Sequence, residues 1–119
     1  MSEATPFAIT GLGSQGDGIA DRDGHVLHVP NALPGESAYR LVGSPSPARR
    51  PAALCPHVPR CGGCSTQHMN DALYAEWKSG LLQAALHQHG LAPPGSPMRS
   101  VPLRSRRRAS FTGAWIDGV

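Results

Sequence analysis

The stretch Gly11-Leu12-Gly13-Ser14-Gln15-Gly16-Asp17-Gly18-Ile19-Ala20 combines four glycines with short apolar pairs. It contains a formal GxGxxG pattern, but a dinucleotide-binding fold needs a helix to begin at the third glycine of that pattern. Asp17-Gly18 follows this glycine at once, and further turn residues come within eight positions, so no helix is predicted there. The stretch therefore favours tight turns between short strands over a nucleotide-binding loop.

Short apolar runs separated by turn residues continue on both sides of this stretch. Asp23-Gly24 is typical of a two-residue hairpin turn, because glycine tolerates the positive φ that such turns need. The Pro-Gly step in Leu33–Glu36 suits a second tight turn. These signals predict an antiparallel meander of four or five strands that closes into a small barrel. The apolar runs are Phe7–Leu12, Ile19–Ala20, Val26–Val29 and Tyr39–Val42.

One helix is predicted, over residues 70–89. Its apolar residues recur at helical spacing and predict one buried stripe, formed by Leu73, Trp77, Leu81 and Ala84. Asn70 or Asp71 can cap the start of the helix, and Gly90 can end it. Beyond the helix, residues 91–102 are predicted to be loop and residues 106–116 to open a further strand.

The composition excludes several classes of protein. The chain has 119 residues, of which 14 are glycine and 12 are proline, and only 5% are aromatic. Such a chain cannot form a long helical bundle or a large parallel α/β domain. No apolar run approaches the ~20 residues of a membrane-spanning helix, and the N-terminus lacks the order of a secretory signal. These features predict a cytoplasmic protein without a membrane partner.

The net charge of +3 is unevenly distributed along the chain. Residues 1–48 are net acidic, whereas residues 49–119 hold nine of the eleven basic side chains. Most of the basic residues are arginine, whose planar guanidinium suits phosphate. Four of them are candidates for contacts with RNA, although a solvated basic face would show the same pattern. These candidates are Arg104, Arg106, Arg107 and Arg108.

Three cysteines, Cys55, Cys61 and Cys64, lie within ten residues of one another. An odd number of cysteines in a cytoplasmic chain favours a metal site over a disulfide framework. The spacing suits an iron–sulfur cluster, for which these three thiolates would be ligands. It equally suits a Cys3His zinc site completed by His68, and three unligated thiols are a third interpretation. The six histidines have no evident catalytic companion, and most are predicted to lie at the surface.

Two groups of motifs resemble parts of one known family. The string Gly11–Ala20, followed by Val29-Pro30 and Ala32–Glu36, resembles the TRAM domain, a small OB-like barrel that binds RNA. The string Cys55…Cys61-Gly62-Gly63-Cys64-Ser65-Thr66-Gln67-His68-Met69, followed by Tyr74 and Trp77-Lys78, resembles the next segment of the RNA (uracil-5)-methyltransferases. Arg106–Ala109 is similar to the strand that opens the central domain of those enzymes. The resemblance covers essentially the whole chain.

The resemblance implies a specific chemistry. Cys55, Cys61 and Cys64 would hold a [4Fe–4S] cluster whose fourth cysteine lies much further along the enzyme. S-adenosylmethionine would bind a separate C-terminal domain, which also carries the nucleophile and the base of the methyl transfer. The 119 residues would then be the N-terminal part only, catalytically inactive alone and unable to bind S-adenosylmethionine. The substrate of the whole enzyme would be ribosomal or transfer RNA.

Together, these observations predict an α+β chain in four segments, truncated before the methyltransferase domain. The four segments are a TRAM-like RNA-binding β-barrel at residues 1–43, a Pro/Ser/Arg linker at 44–53, an irregular cysteine-rich segment with one α-helix at 54–91, and the start of the central domain at 92–119. The alternative hypothesis is a stand-alone RNA-binding module with a Cys3His zinc site. In that alternative His68 is a metal ligand, whereas in the cluster hypothesis it is not.

Overall fold

The computed structural model describes residues 7–38, 45–58, 60–61, 63–111 and 113–118. Within these residues the chain forms five short strands followed by one α-helix, so the described part is a small α+β structure. The elements are β1 (Phe7–Ala8), β2 (Gly11–Leu12), β3 (Gly18–Arg22), β4 (His25–Val29), β5 (Ser37–Ala38) and α1 (Asp71–Gln88). We refer to residues 7–38 as the β unit.

The β3–β4 hairpin is the longest paired element of the β unit. All five residues of each strand are in register, from Gly18 opposite Val29 to Arg22 opposite His25. Asp23 and Gly24 both have positive φ, 53° and 81°, as the two central residues of a type I′ turn require. The predicted hairpin turn at Asp23-Gly24 is therefore confirmed.

The predicted run Phe7–Leu12 forms two strands that belong to two different sheets. β1 pairs with β5, whereas β2 joins the β3–β4 hairpin in a three-stranded antiparallel sheet. The change of partner occurs between adjacent residues, since the Ile9 amide bonds to Glu36 O and the Thr10 amide to Ile19 O. The predicted run Tyr39–Val42 lies outside the described residues.

The core of the β unit is small and lies between the two sheets. The buried apolar residues are Ile9, Ala20, Ala32 and Leu33. The predicted turn at Leu33–Glu36 is present, because the Glu36 amide bonds to Leu33 O at 3.0 Å and Gly35 has a φ of 88°. This turn carries the chain from the core back to β5.

The helix α1 begins and ends close to the predicted positions. Asn70 is its N-cap, with its side-chain oxygen accepting a hydrogen bond from the Leu73 amide, and Gly90 follows the C-cap with a φ of 70°. The predicted buried stripe is wrong, because no residue of α1 is buried: Leu73 and Trp77 are half-buried, and Leu81 and Ala84 are exposed. Residues 94–98 face the second half of α1 across a cavity and leave Leu82 52% exposed.

Residues 106–111 and 113–116 do not form the predicted strand. They are exposed and make no ladder with any described strand. A single extended segment leaves its backbone groups unpaired, so strand propensity alone does not produce a strand. Separately, no helix in the described part of the chain combines the length and apolar character that a membrane span needs.

Candidate metal and RNA-binding site

The three cysteines lie in a loop of turns between the β unit and α1. All three thiols are free; Cys55 is half-buried, and Cys61 and Cys64 are exposed. The Cys61 amide bonds to His57 O at 2.8 Å, which closes one turn of the loop. The Gly63 amide donates to Cys61 Sγ at 3.4 Å. The thiolate is the form of cysteine that binds metal.

The donor set of this loop fits a soft metal or an iron–sulfur group. Three free thiols supply the ligand type that zinc and iron–sulfur clusters prefer. Among the described residues, however, no three histidine, cysteine, aspartate or glutamate side chains are gathered closely enough to hold a metal ion. The loop therefore provides the donors, and the assignment of Cys55, Cys61 and Cys64 as metal ligands stays a prediction.

His68 is the exception among the histidines. The other five are exposed, as predicted, whereas His68 is only 7% exposed. Burial lowers the pKa of its imidazole, and the nearby Arg49 charge lowers this pKa further, while the Gly16 carbonyl and Glu36 oppose the decrease. The ring is close enough to the Gly16 carbonyl for this acceptor to raise the pKa, but neither ring nitrogen makes a hydrogen bond of normal geometry. A neutral imidazole is thus held beside an arginine and the glycine-rich loop.

Arg49 forms a two-point ion pair with Glu36. Its Nε lies 2.7 Å from Glu36 Oε2, and one terminal nitrogen lies 2.6 Å from Oε1. The same terminal nitrogen donates to Asn31 O at 2.5 Å. The hydrogen bonds from Arg49 are the main reason that the pKa of Glu36 falls to about 2. These bonds attach Arg49 to Asn31, which precedes the Leu33–Glu36 turn, and to Glu36, which ends it.

Residues 48–50 also pair with residues 68–70, which lead into α1. The Arg50 amide bonds to His68 O at 2.9 Å and the Asn70 amide to Ala48 O at 2.8 Å, on either side of an isolated bridge between Arg49 and Met69. The predicted linker thus contains ordered contacts with both of its neighbours. The predicted segment boundaries themselves stay a prediction.

The segment that follows the cysteines and the helix α1 both contact the glycine-rich loop of the β unit, residues 11–18. Met69 is only 1% exposed, and a Cβ on Gly16 would lie 2.8 Å from Thr66 Cγ2 and 3.2 Å from Met69 Cε. Trp77 Nε1 donates to Gly13 O at 2.9 Å. Gly16 therefore permits close packing against the later segment, and no helix begins in this motif.

A cavity of about 370 Å³ opens beside the paired segments. Its polar lining comes from both of them and from the end of β4, and its apolar lining from the residues after Arg50. The polar residues are Asn31, Arg49, Arg50, Gln67 and His68, and the apolar residues are Pro51, Ala52, Ala53 and Val58. Arg50 Nε and Gln67 Oε1 are buried and, like the nitrogens of His68, have no hydrogen-bond partner.

The predicted RNA-binding arginines are not part of this arrangement. Arg104, Arg106, Arg107 and Arg108 are all exposed. Residues 106–108 are not in a strand. The four guanidinium groups are free to meet a polyanion, and their RNA contacts stay a prediction.

Sequence reasoning did not single out Glu36, Arg49 or Gln67. In the sequence Arg49 is one of nine basic residues of the second half, and Glu36 is an acidic residue in a turn. One signal was present, because a glutamate three residues after Leu33 can accept the hydrogen bond of that residue's amide. The structure shows this bond at 2.8 Å. The pairing of Glu36 with Arg49 spans 13 residues and has no local signal.

No family model matches the sequence, but individual proteins do. The chain is 37% identical over 124 residues to the 23S rRNA (uracil(1939)-C(5))-methyltransferase RlmD of Alkalilimnicola ehrlichii, an alignment that covers 90% of the chain and 28% of the relative. It is 35% identical over 120 residues to the enzyme of the same name from Acinetobacter baumannii, covering 85% of the chain and 26% of the relative.

A third relative is described more generally. The chain is 35% identical over 116 residues to an uncharacterized RNA methyltransferase of Caulobacter vibrioides, covering 88% of the chain and 28% of the relative. The chain thus spans less than a third of the length of these curated relatives, while most of the chain takes part in each alignment.

Proposed function

The chain belongs to the RNA (uracil-5)-methyltransferase family, and from this premise we propose that it supplies the RNA-binding and iron–sulfur section of such an enzyme. The observation that carries the proposal is the 37% identity that extends over 90% of the chain. The proposed reaction is transfer of a methyl group from S-adenosylmethionine to C5 of a uridine in ribosomal or transfer RNA. The proposed location, in consequence, is the cytoplasm.

In this proposal the chain is the N-terminal part of the enzyme, and the methyl transfer takes place on a separate domain. We assign no residue of the chain to the methyl transfer. We assign the binding of S-adenosylmethionine to the separate domain. The β unit would be a TRAM-type barrel that contacts RNA. Because residues 1–48 are net acidic, those contacts would use backbone groups and hydroxyls more than cationic side chains. The arginines of the second half would contact phosphate.

Cys55, Cys61 and Cys64 are the proposed ligands of a [4Fe–4S] cluster. Support comes from the donor set, because three free thiols lie in one loop and one of them already accepts an amide hydrogen bond. A fourth thiolate would come from elsewhere in the enzyme. When bound, the cluster would hold the loop together and present it to RNA, with no electron transfer in the reaction.

The zinc alternative has less support. A Cys3His site needs His68 to join the three thiols, whereas this imidazole is buried beside Arg49 and the exposed Cys61 and Cys64 lie in a different environment. The two hypotheses differ in what His68→Ala does. It would release zinc from a Cys3His site and leave an iron–sulfur cluster in place.

The metal content of the whole chain tests the proposal. The chain is purified without oxygen, supplied with iron, sulfide and a small thiol that can stand in for the fourth ligand, and analysed for iron, zinc and visible thiolate-to-iron absorption. We expect iron and sulfide in the natural sequence and in the control Ser65→Ala, retention in His68→Ala, and loss in Cys61→Ser. Zinc that is lost in His68→Ala would establish the alternative, and unchanged iron in Cys61→Ser would contradict the cluster assignment.

A further inference from the structure

The β3–β4 hairpin turns two apolar side chains and a histidine away from the core. Leu27 and Val29 pack against the core, so Val26 and His28, which alternate with them on β4, lie on the opposite face. Ile19 pairs with His28 and shares this face, which we name the outer face. Val26 is 61% exposed and the His28 side chain 63% exposed. The solvated face of a sheet normally carries polar residues, so apolar residues here indicate a surface that binds something.

Asp17 orients the exposed ring of His28. Its carboxylate contacts His28 Nδ1, and its side chain is only 17% exposed. Burial raises the pKa of Asp17, but hydrogen bonds from His28 and from backbone amides outweigh burial and leave this pKa below its ordinary value. The ionised carboxylate accepts, so Nδ1 is the donor and the ring is held in one orientation. A side chain that is already oriented loses little rotamer freedom when a ligand binds.

The row of residues that crosses the sheet at His28 has room for a flat ligand. Gly11 of β2 lies opposite Ile19, which in turn lies opposite His28. A Cβ on Gly11 would meet no atom within 4 Å, so this end of the row is open. The row thus presents a ring, a half-buried aliphatic side chain and a glycine. A planar group can lie across them without displacing a long side chain.

The charges of the outer face favour a neutral ligand over a phosphate group. Asp21, opposite Val26 in the next row, is exposed and carries a negative charge that would repel phosphate. The carboxylate of Asp17 is engaged by His28. An RNA base is planar and uncharged, and histidine is one of the side chains on which proteins stack the unstacked bases of single-stranded RNA. The outer face therefore suits a base better than the RNA backbone.

We propose that the outer face binds one unstacked base of single-stranded RNA, which stacks on the His28 ring and lies across Ile19. Asp17 is a positioning residue in this site, because it holds the ring. The inference rests on the proposed function in taking RNA as the source of the base, and it names one place in the β unit where RNA is bound. A stacking contact neutralises no phosphate, so it adds affinity without adding salt dependence.

RNA binding by histidine variants of the whole chain tests this proposal. The probes are short fluorescein-labelled single-stranded RNAs made only of uridine, cytidine or adenosine, and fluorescence anisotropy gives their affinities. His28→Ala should weaken the tightest-bound RNA at least about fivefold, the loss expected for one stacked base. The slope of log affinity against log salt should not change. The control His25→Ala alters an exposed histidine on the same strand and should leave the affinity unchanged.

His28→Phe separates stacking from a contact through the ring nitrogens. Phenylalanine keeps an aromatic ring but has no hydrogen-bond donor, so a stacked base should keep its affinity to within about twofold. If His28→Phe loses as much affinity as His28→Ala, the ring nitrogens contact the RNA and the stacking proposal is wrong. Unchanged affinity in His28→Ala would also overturn it.

Nuclear magnetic resonance of the natural sequence keeps the test decisive if a variant at position 28 weakens the fold. The ring protons of His28 are identified by their absence in His28→Phe. They should move upfield to saturation as RNA is added, because a stacked base shields them, while the His25 signals stay in place. A shift that grows with protein concentration in the absence of RNA would show an interface between copies of the chain and overturn the proposal.

This inference and the proposed function fail in different ways. RNA affinity that depends on salt but not on His28 would leave the proposed function intact and overturn the outer-face site alone. A chain that binds none of the RNAs would contradict RNA binding anywhere on it, the outer face included. The iron content, which is measured separately, does not depend on His28.

Discussion

The Glu36 side chain joins two separate segments of the backbone and the side chain of Arg49. One carboxylate oxygen accepts from the Leu33 amide at 2.8 Å and the other from the Ser46 amide at 3.1 Å. Both oxygens also accept hydrogen bonds from Arg49. The side chain is only 12% exposed, so its charge depends on these donors for stabilisation. Its protonation is therefore coupled to the attachment of residues 45–50 to the β unit.

Glu36 is expected to make stability fall in acid. Its pKa in the folded chain is about 2, against 4.5 as the ordinary value. A carboxyl whose pKa is lowered by folding stabilises the fold fully above the ordinary value, and this stabilisation is lost as the pH falls towards the folded value. The loss is on the order of 3 kcal/mol between about pH 5 and pH 2, since one pKa unit corresponds to ~1.4 kcal/mol. Urea unfolding at several pH values measures it.

The variant Glu36→Gln should be less stable by about 2 to 3 kcal/mol at pH 7, because it leaves the partly buried Arg49 without its counter-charge. It should also lose most of the pH dependence just described. Glu76→Gln is a matched control, since Glu76 is exposed on α1 and should change neither quantity. If the Glu36→Gln chain still loses the full ~3 kcal/mol of stability in acid, other carboxyl groups cause that loss.

Local chemistry made some residues predictable and others not. Asp23-Gly24 and Pro34-Gly35 form the turns that the sequence predicts, because the backbone angles of a tight turn depend on the residues within it. The burial of His68 has no such local cause. It depends on Arg49 and on the glycine-rich loop, which are 19 and more residues away in sequence. Residues of this kind are found only once the tertiary contacts are known.

The helix α1 is attached to the β unit through its first half. Trp77 is half-buried, and its indole nitrogen donates to Gly13 O at 2.9 Å across 64 residues of sequence. Beyond Trp77 the large apolar residues Leu81 and Leu82 are 38% and 52% exposed. The Trp77 hydrogen bond, the ion pair between Arg50 and Asp71 and the packing around Met69 therefore hold the first half of the helix in place.

The variant Trp77→Phe should destabilise the chain by about 1 to 2 kcal/mol. Phenylalanine keeps most of the ring packing but cannot donate a hydrogen bond, so Gly13 O loses the indole donor and keeps only the bond from the Gly16 amide. Trp115→Phe is the matched control, because Trp115 is 86% exposed and should change stability by less than about 0.5 kcal/mol. Equal stabilities for the two variants in urea unfolding would show that the Trp77 hydrogen bond contributes nothing measurable.

Elements with strong local signals were predicted well. The bounds of α1 agree with the predicted 70–89 to within a residue at each end, because Asn70 and Gly90 supply a cap and a stop within the sequence itself. The strand predicted at residues 106–116 is wrong for the opposite reason. A strand is defined by its partner, and sequence propensity at those residues carries no information about one.

The molecule as a whole separates an acidic half from a basic half. The β unit contains more acidic than basic residues, whereas Arg99, Arg104 and residues 106–108 form an exposed arginine-rich tail. Contacts between these arginines and RNA phosphates would release counterions, which makes affinity fall as salt rises.

The triple variant Arg106→Gln, Arg107→Gln, Arg108→Gln should lower the salt dependence of RNA binding. For single-stranded RNA the slope of log affinity against log salt is about −0.7 per phosphate contacted, so three lost contacts should make it shallower by about 2. Fluorescence anisotropy of the whole chain with a short labelled RNA, over a series of salt concentrations, measures this slope. The control Arg22→Gln alters an arginine that lies between Asp21 and Asp23 and should leave the slope unchanged. If the triple variant keeps the slope of the natural sequence, the arginine-rich tail is a solvated surface, and RNA affinity must come from another part of the chain.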